Sequence, residues 1–160
     1  MHTIFLENTR RQLALTAMAT FAFCTFNASA QGKVATPHAP ATSESIVQAQ
    51  LDAYNAHDVN AFLATYSDDV ELFEHPTKLL AKGLGQMRER YALRFKEANL
   101  HAVITKRIVM GNVVVDHEKI TRTFPEGTGM SEAVAIYQVQ DGKISKVWLL
   151  LGPKTLDAKK

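Results

Sequence analysis

From Ser43 onward the apolar positions recur first at helical and then at strand spacing. Ile46, Val47, Leu51 and Tyr54 form a stripe that predicts a helix running to about His57, with Thr42 or Ser43 as its cap. Gln50 interrupts this stripe, and a polar group on a buried face costs roughly 1–3 kcal/mol if it lacks a partner. Asp58 is placed to cap a shorter second helix with Val59, Phe62, Leu63 and Tyr66 on one side. Val70 to Glu74 alternates as a strand and ends on Glu74-His75-Pro76. Residues 82–98 read as a third helix, with Gly83 and Gly85 at its approach and Met87, Tyr91 and Phe95 recurring along one face. Its Arg88, Arg90 and Arg94 read as a solvated face.

The remainder is strand. Residues 100–110 and 113–124 flank Gly111-Asn112, a two-residue hairpin turn, and residues 132–139 and 144–151 are joined through Gln140-Asp141-Gly142. Helices followed by hairpin-linked strands predict an α+β domain, with about three N-terminal helices against one face of a curved antiparallel sheet. If Gly111-Asn112 is the whole first loop, Arg107 faces Asp116, Thr105 faces Glu118 and Val103 faces Ile120. One face of that hairpin then reads Val103, Thr105, Arg107, Val109, Val114, Asp116, Glu118, Ile120, apolar with a charged group in its middle. A one-residue slip would exchange His117 with its acidic neighbours.

The chain ends modify this picture little. Residues 1–30 carry Arg10-Arg11, an apolar run and Ala28-Ser29-Ala30, the pattern of a cleaved export signal, by either the general secretory or the twin-arginine route. An exported protein of the bacterial periplasm is expected, without a stable membrane anchor. Residues 31–42, with two prolines and small polar residues, read as a flexible linker, in which His38 is simply solvated. The domain is expected over 43–153 and a tail over 154–160. The single cysteine, Cys24, lies in the leader, so neither a disulfide nor a thiol serves the domain. Removing Arg10, Arg11 and Glu7 from 18 basic and 16 acidic residues leaves a formal charge of +1, with no basic run suited to nucleic acid.

Several ordered strings resemble one family. QLDAYNAHDVNAFLATYSDDVEL is similar to the opening helices and first strand of the nuclear transport factor 2-like superfamily, in its SnoaL-like and steroid delta-isomerase branch. KGLGQMRERY resembles the third helix of that branch and VQDGKISKVW its last hairpin. The resemblance spans nearly all of residues 43–152 and implies a cone: a curved sheet wrapped by helices around a mostly apolar pocket, often as a homodimer, without a cofactor. Ketosteroid isomerases pair an Asp base with a Tyr and a protonated Asp as oxyanion donors. On this chain the donor positions fall on Gln50 and Ala135, the base position on Glu74 or His75, and a supporting Tyr on Tyr91.

Candidate chemistry follows from both readings. Period two lets only one of Glu74 and His75 face inward, and Glu74 is expected there with Val70 and Leu72. A carboxyl group against apolar walls would have its pKa raised, which suits a general base or acid. Glu74, Glu118 and Asp116 are therefore the candidate catalytic acids. Gln50, Tyr54, His75, Tyr91, Phe95, Arg107 and Tyr137 are the candidate binding residues. Arg107, Asp116 and Glu118 are either a cross-strand ion pair or a ligand-orienting group. Glu74, His75, His101, Asp116 and His117 have no standard metal spacing, so no metal is expected. The side of the last strand bearing Trp148 is a candidate dimer surface. Two functions stay open: an acid–base enzyme acting on a small, largely apolar carbonyl compound, and a non-catalytic binding or carrier module of the envelope.

Overall fold

The computed structural model of the protein describes residues 41–158; the leader and all but the last two residues of the expected linker lie outside the described residues. Helix α1, Ser43–Asn55, starts where Thr42 accepts the Ser45 amide at 3.1 Å. Asp58 likewise accepts the amides of Asn60 and Ala61 and opens α2, Val59–Ala64. There follow strands β1 (Tyr66–Glu74) and β2 (Lys78–Lys82), helix α3 (Gly83–Arg94), and strands β3 (His101–Met110), β4 (Val113–Phe124), β5 (Gly127–Gln140) and β6 (Lys143–Leu156). The strands form one open, curved sheet in the order β2-β1-β6-β5-β4-β3. Among the described residues no helix is long and apolar enough to cross a membrane.

Helix α1 packs across β3 to β6, and α3 covers β1 and β2. Asn55 pins the end of α1 to the start of β3, donating to the Ala102 carbonyl at 2.9 Å and accepting its amide at 2.8 Å. Every second residue of the central strands points under these helices: Val114, Asp116 and Glu118 from β4, Ala133, Ala135, Tyr137 and Val139 from β5. Phe62 of α2 is fully buried at the helical end of this core. Its ring lies 4.4 Å from Tyr91, 5.0 Å from Tyr66, 5.3 Å from Phe95 and 6.1 Å from Tyr54, centre to centre. One side chain thus braces aromatic groups from α1, β1 and α3.

Four expectations need correction. The sheet is not wholly antiparallel: β1 runs parallel to β6, because the helix–sheet crossover brings the first strand back beside the last. Strand β2 was not expected, since Leu79-Leu80-Ala81 shows no alternation. Strands β5 and β6 are longer than expected, pairing out to Gly129↔Leu156, so β6 runs beyond the predicted domain end at 153. Gly129 permits this approach, as a Cβ there would run into the Thr155 carbonyl oxygen.

The fourth correction concerns the first hairpin. The expected register holds from Met110↔Val113 through Arg107↔Asp116 and Lys106↔His117, then shifts at Thr105. Beyond this bulge Glu118 faces Ile104, and Ala102 faces Ile120. The Thr105 hydroxyl leaves the interior, donating to the His117 carbonyl at 2.9 Å and lying 2.8 Å from its Nδ1. On β4 the expected inner face is observed intact. On β3 the bulge exchanges Val103 and Thr105 for Ala102 and Ile104, and Val103 becomes exposed.

Replacing Phe62 by Ala should destabilise the domain by about 3–5 kcal/mol, since it removes a buried ring that the three surrounding elements cannot collapse around. Urea denaturation measures this; a loss below about 1 kcal/mol would show that Phe62 is not the brace described.

Candidate functional site

Beneath α1 and α3 the sheet encloses a cavity of about 220 Å³. Its walls carry Tyr54 from α1, Tyr66 from β1, Tyr91 from α3 and Tyr137 from β5. Apolar surface comes from Ala102, Ile120, Ala133, Val147 and Leu149. Gln50 of α1 and Glu118 of β4 also line it, and both are buried.

Glu118 and Asp116 point the same way because they are two residues apart on β4. Their surroundings differ. Asp116 is 1% exposed and receives both arms of one guanidinium: Arg107 Nε at 2.7 Å and Nη2 at 2.7 Å. Arg107 in turn donates to Gln48 of α1 at 2.9 Å. Glu118 is 7% exposed and has no such partner. Burial, and then the Asp116 charge, push its carboxyl group up from the ordinary range to about 7. Arg107 is held above its usual value by its hydrogen bonds to Asp116.

The phenols complete the electrostatics. Burial is the largest cause raising Tyr54, Tyr66, Tyr91 and Tyr137 above the ordinary tyrosine value, and the Glu118 charge raises each of them further. All four therefore remain hydrogen-bond donors. Gln50 sits beside the Tyr66 hydroxyl. Tyr54 and Tyr91 also meet Arg94 and Arg90, which line the cavity from α3.

The structure thus brings Gln50, Tyr54, Tyr91, Tyr137 and Glu118 together around one space, while Asp116, buried, and Arg107, partly buried, pair outside its lining. Phe95 stays outside the lining and packs edge-on against Tyr54 at 5.4 Å. Glu74 corrects the expectation made for it. It shares the Val70–Leu72 face, but β1 leaves the cone before reaching it. The β1–β2 hairpin sets Glu74 opposite Lys78, and the two side chains pair at 3.2 Å with Glu74 36% exposed. His75 is exposed beyond the strand end and does not line the cavity. Among the described residues no three His, Cys, Asp or Glu side chains are grouped to hold a metal ion.

Sequence reading did not single out Tyr66, although a tyrosine following an apolar helical face was visible. It also treated Arg90 and Arg94 as solvated. Their spacing from Tyr91 and Met87 on α3 was the available signal that they border a buried face.

Residues 47–147 match the SnoaL-like domain, and the chain belongs to that family. A comparison with curated proteins finds no match. Among solved structures, an uncharacterized cystatin fold protein from Novosphingobium aromaticivorans is 23% identical at a TM-score of 0.64, over 69% of this chain and 98% of that one. An NTF2-like protein of unknown function from Cytophaga hutchinsonii is 18% identical at 0.58, over 70% and 91%. An LEH-like epoxide hydrolase from M. tuberculosis is 15% identical at 0.60, over 68% and 81%. At these identities the likeness is one of fold.

Two stability measurements test the site's electrostatics. Arg107→Ala leaves Asp116 buried without its counter-charge and should cost roughly 3–5 kcal/mol, read by chemical denaturation. For Glu118 the folded carboxyl group binds its proton more tightly than the unfolded one. Its contribution is therefore complete below the unfolded value near 4.5 and is lost as pH rises through about 7. Glu118→Gln should consequently melt close to wild type at pH 4.5 and above it at pH 8, by the equivalent of roughly 3 kcal/mol. Parallel pH–stability curves for the two proteins would show that Glu118 titrates normally.

Proposed function

We propose that the domain is an acid–base catalyst in which Glu118 moves a proton beside the carbonyl group of a small, largely apolar compound. The observation that carries this reading is a buried carboxyl group without a counter-charge, facing a cavity whose walls hold four protonated phenols. Glu118 as carboxylate takes a proton from the carbon next to the carbonyl group. The C–H electron pair becomes a C=C bond, and the carbonyl π pair moves onto oxygen. A tyrosine hydroxyl donates to that oxygen as its charge develops. Protonated Glu118 then returns the proton to the same carbon, which is exchange or epimerisation, or, in a β,γ-enone, to the γ carbon of the dienolate, which is isomerisation; loss of hydroxide from the β carbon as water, or attack of the enolate carbon on a second carbonyl, gives dehydration or cyclisation.

A carboxyl group poised near 7 has both protonation states populated at neutral pH, as a group that accepts and returns one proton requires. Asp116 is a positioning residue: it occupies Arg107 and keeps that cation from neutralising Glu118. The M. tuberculosis neighbour's description as an epoxide hydrolase supports an enzymatic use of such a cone. The leader-like residues 1–30 support export to the bacterial periplasm. The stacked Phe73 and Trp148, 6.0 Å apart on the face of the sheet opposite the cavity, support a homodimer through that face.

The test is hydrogen–deuterium exchange beside the carbonyl group of a panel of cyclic ketones and β,γ-enones, followed by NMR in D2O. Wild type should exchange with a rate that rises through about pH 7. Glu118→Gln, folded by circular dichroism, should lose about 10²–10⁴-fold. Tight binding of the panel by both proteins, with no exchange by either, would make the domain a carrier.

A further inference from the structure

The cavity is polarised along its length. Its inner end holds Glu118, while its mouth is cationic. Arg90 and Arg94 reach the lining from α3, four residues apart and so on one side of the helix, and Arg122 reaches it from β4. The same three arginines border the open groove that adjoins the mouth.

Two of these three charges have no carboxylate partner among the described residues. Arg90 and Arg94 form no ion pair with any described residue; their partners at the cavity are the Tyr91 and Tyr54 hydroxyls. Arg122 gives Nη2 to Glu97 at 3.0 Å and stacks 5.1 Å from the centre of the Phe124 ring, but its Nε is buried without a partner. Lys154, also at the lining, is occupied by Glu126 at 2.6 Å. The other acidic residue of the lining, Glu132, directs its carboxylate outward to His117 and Lys119. Two neighbouring guanidinium groups on one helix repel each other. A buried donor without an acceptor adds a further cost. One anion placed among the three would remove both.

Glu118 and the three arginines line the same cavity, with Tyr54 and Tyr91 also in its walls.

We infer that the mouth is a carboxylate subsite, and that the substrate is a small amphipathic keto acid. It enters apolar end first, leaves its carboxylate on Arg90, Arg94 and Arg122, and brings its reacting carbon to Glu118. A guanidinium group presents two parallel N–H donors that match a planar carboxylate, which an ammonium group does not. Arg122, with Nη2 already on Glu97, offers its free Nε. The inference rests on Glu118 marking the reactive end, as proposed above.

Calorimetric titration with ω-phenylalkanoates of two to six carbons, each against its methyl ester and the matching phenylalkyl phosphate, tests the subsite at pH 6. At least one acid should bind about tenfold or more tighter than its ester. That preference should weaken with added salt and vanish in Arg90→Gln/Arg94→Gln. Equal affinity of acid and ester throughout the series, including no binding by either, would overturn the inference on wild type alone, whatever the folding of the variants. Tighter binding of the phosphate would overturn the choice of carboxylate. The same titration in Glu118→Gln separates the two readings. An acid preference that persists there while ketone exchange fails in wild type keeps the subsite and removes the catalytic reading. Exchange that depends on Glu118, without any acid preference, does the reverse.

Discussion

Two buried carboxyl groups share one strand face, and only Asp116 has an arginine partner. Asp116 and Glu118 are forced onto the same side of β4 by the period of a strand, and the guanidinium of Arg107 meets one of them. The β3–β4 register gives it to Asp116, directly opposite Arg107. Two short hydrogen bonds and the reach to Gln48 then fix Arg107 in place. Glu118 is left with the desolvation and with the repulsion of the Asp116 charge. The perturbed acid is thus the remainder of a satisfied ion pair, and the pair's strength keeps it so.

The Thr105 bulge gives this arrangement its second half. Without it, Thr105 would stand across from Glu118 and offer a hydroxyl to the carboxylate. With it, that hydroxyl is tied to His117 on the outer side, and the wall beside Glu118 is Ile104 and Ala102. A one-residue irregularity in an edge strand therefore decides whether the acid is hydrogen-bonded or bare. On the opposite wall, Phe62 holds the rings of Tyr54, Tyr66 and Tyr91 in contact. Their hydroxyls face a shared space although they come from three separate elements. The result is a graded interior: guanidinium charge at the mouth, neutral donors along the walls, an acid of adjustable charge at the inner end.

By the resemblance to steroid isomerases an oxyanion acid is expected at Ala135, which is fully buried and opposite Asp116. The acid on the neighbouring strand reaches the same interior, because adjacent strands of one sheet present their inward residues side by side. Ala135 leaves room for it.

The sequence carried the helix caps at Thr42 and Asp58, the turns at Gly111-Asn112 and Asp141-Gly142, and the inner face of β4, because each of these is set within a few residues. Local chemistry fixes a cap, and side-chain alternation fixes a face. It also identified Gln50, Tyr54, Tyr91 and Tyr137, since polar or aromatic groups on an otherwise apolar stripe have few places to go. The roles of the acids were decided elsewhere. In sequence Glu74, after Leu72 and Phe73, has more apolar neighbours than Glu118, between His117 and Lys119, yet Glu74 ends in solvent beside Lys78 and Glu118 in the cavity. Arg90 and Arg94 look solvated along the helix and become a cationic mouth once α3 lies over the sheet. The parallel pairing of β1 with β6 and the slip at Thr105 belong to the same class. Each depends on which strand meets which, a long-range choice made by the packing of the whole domain, and no local pattern of residues records it.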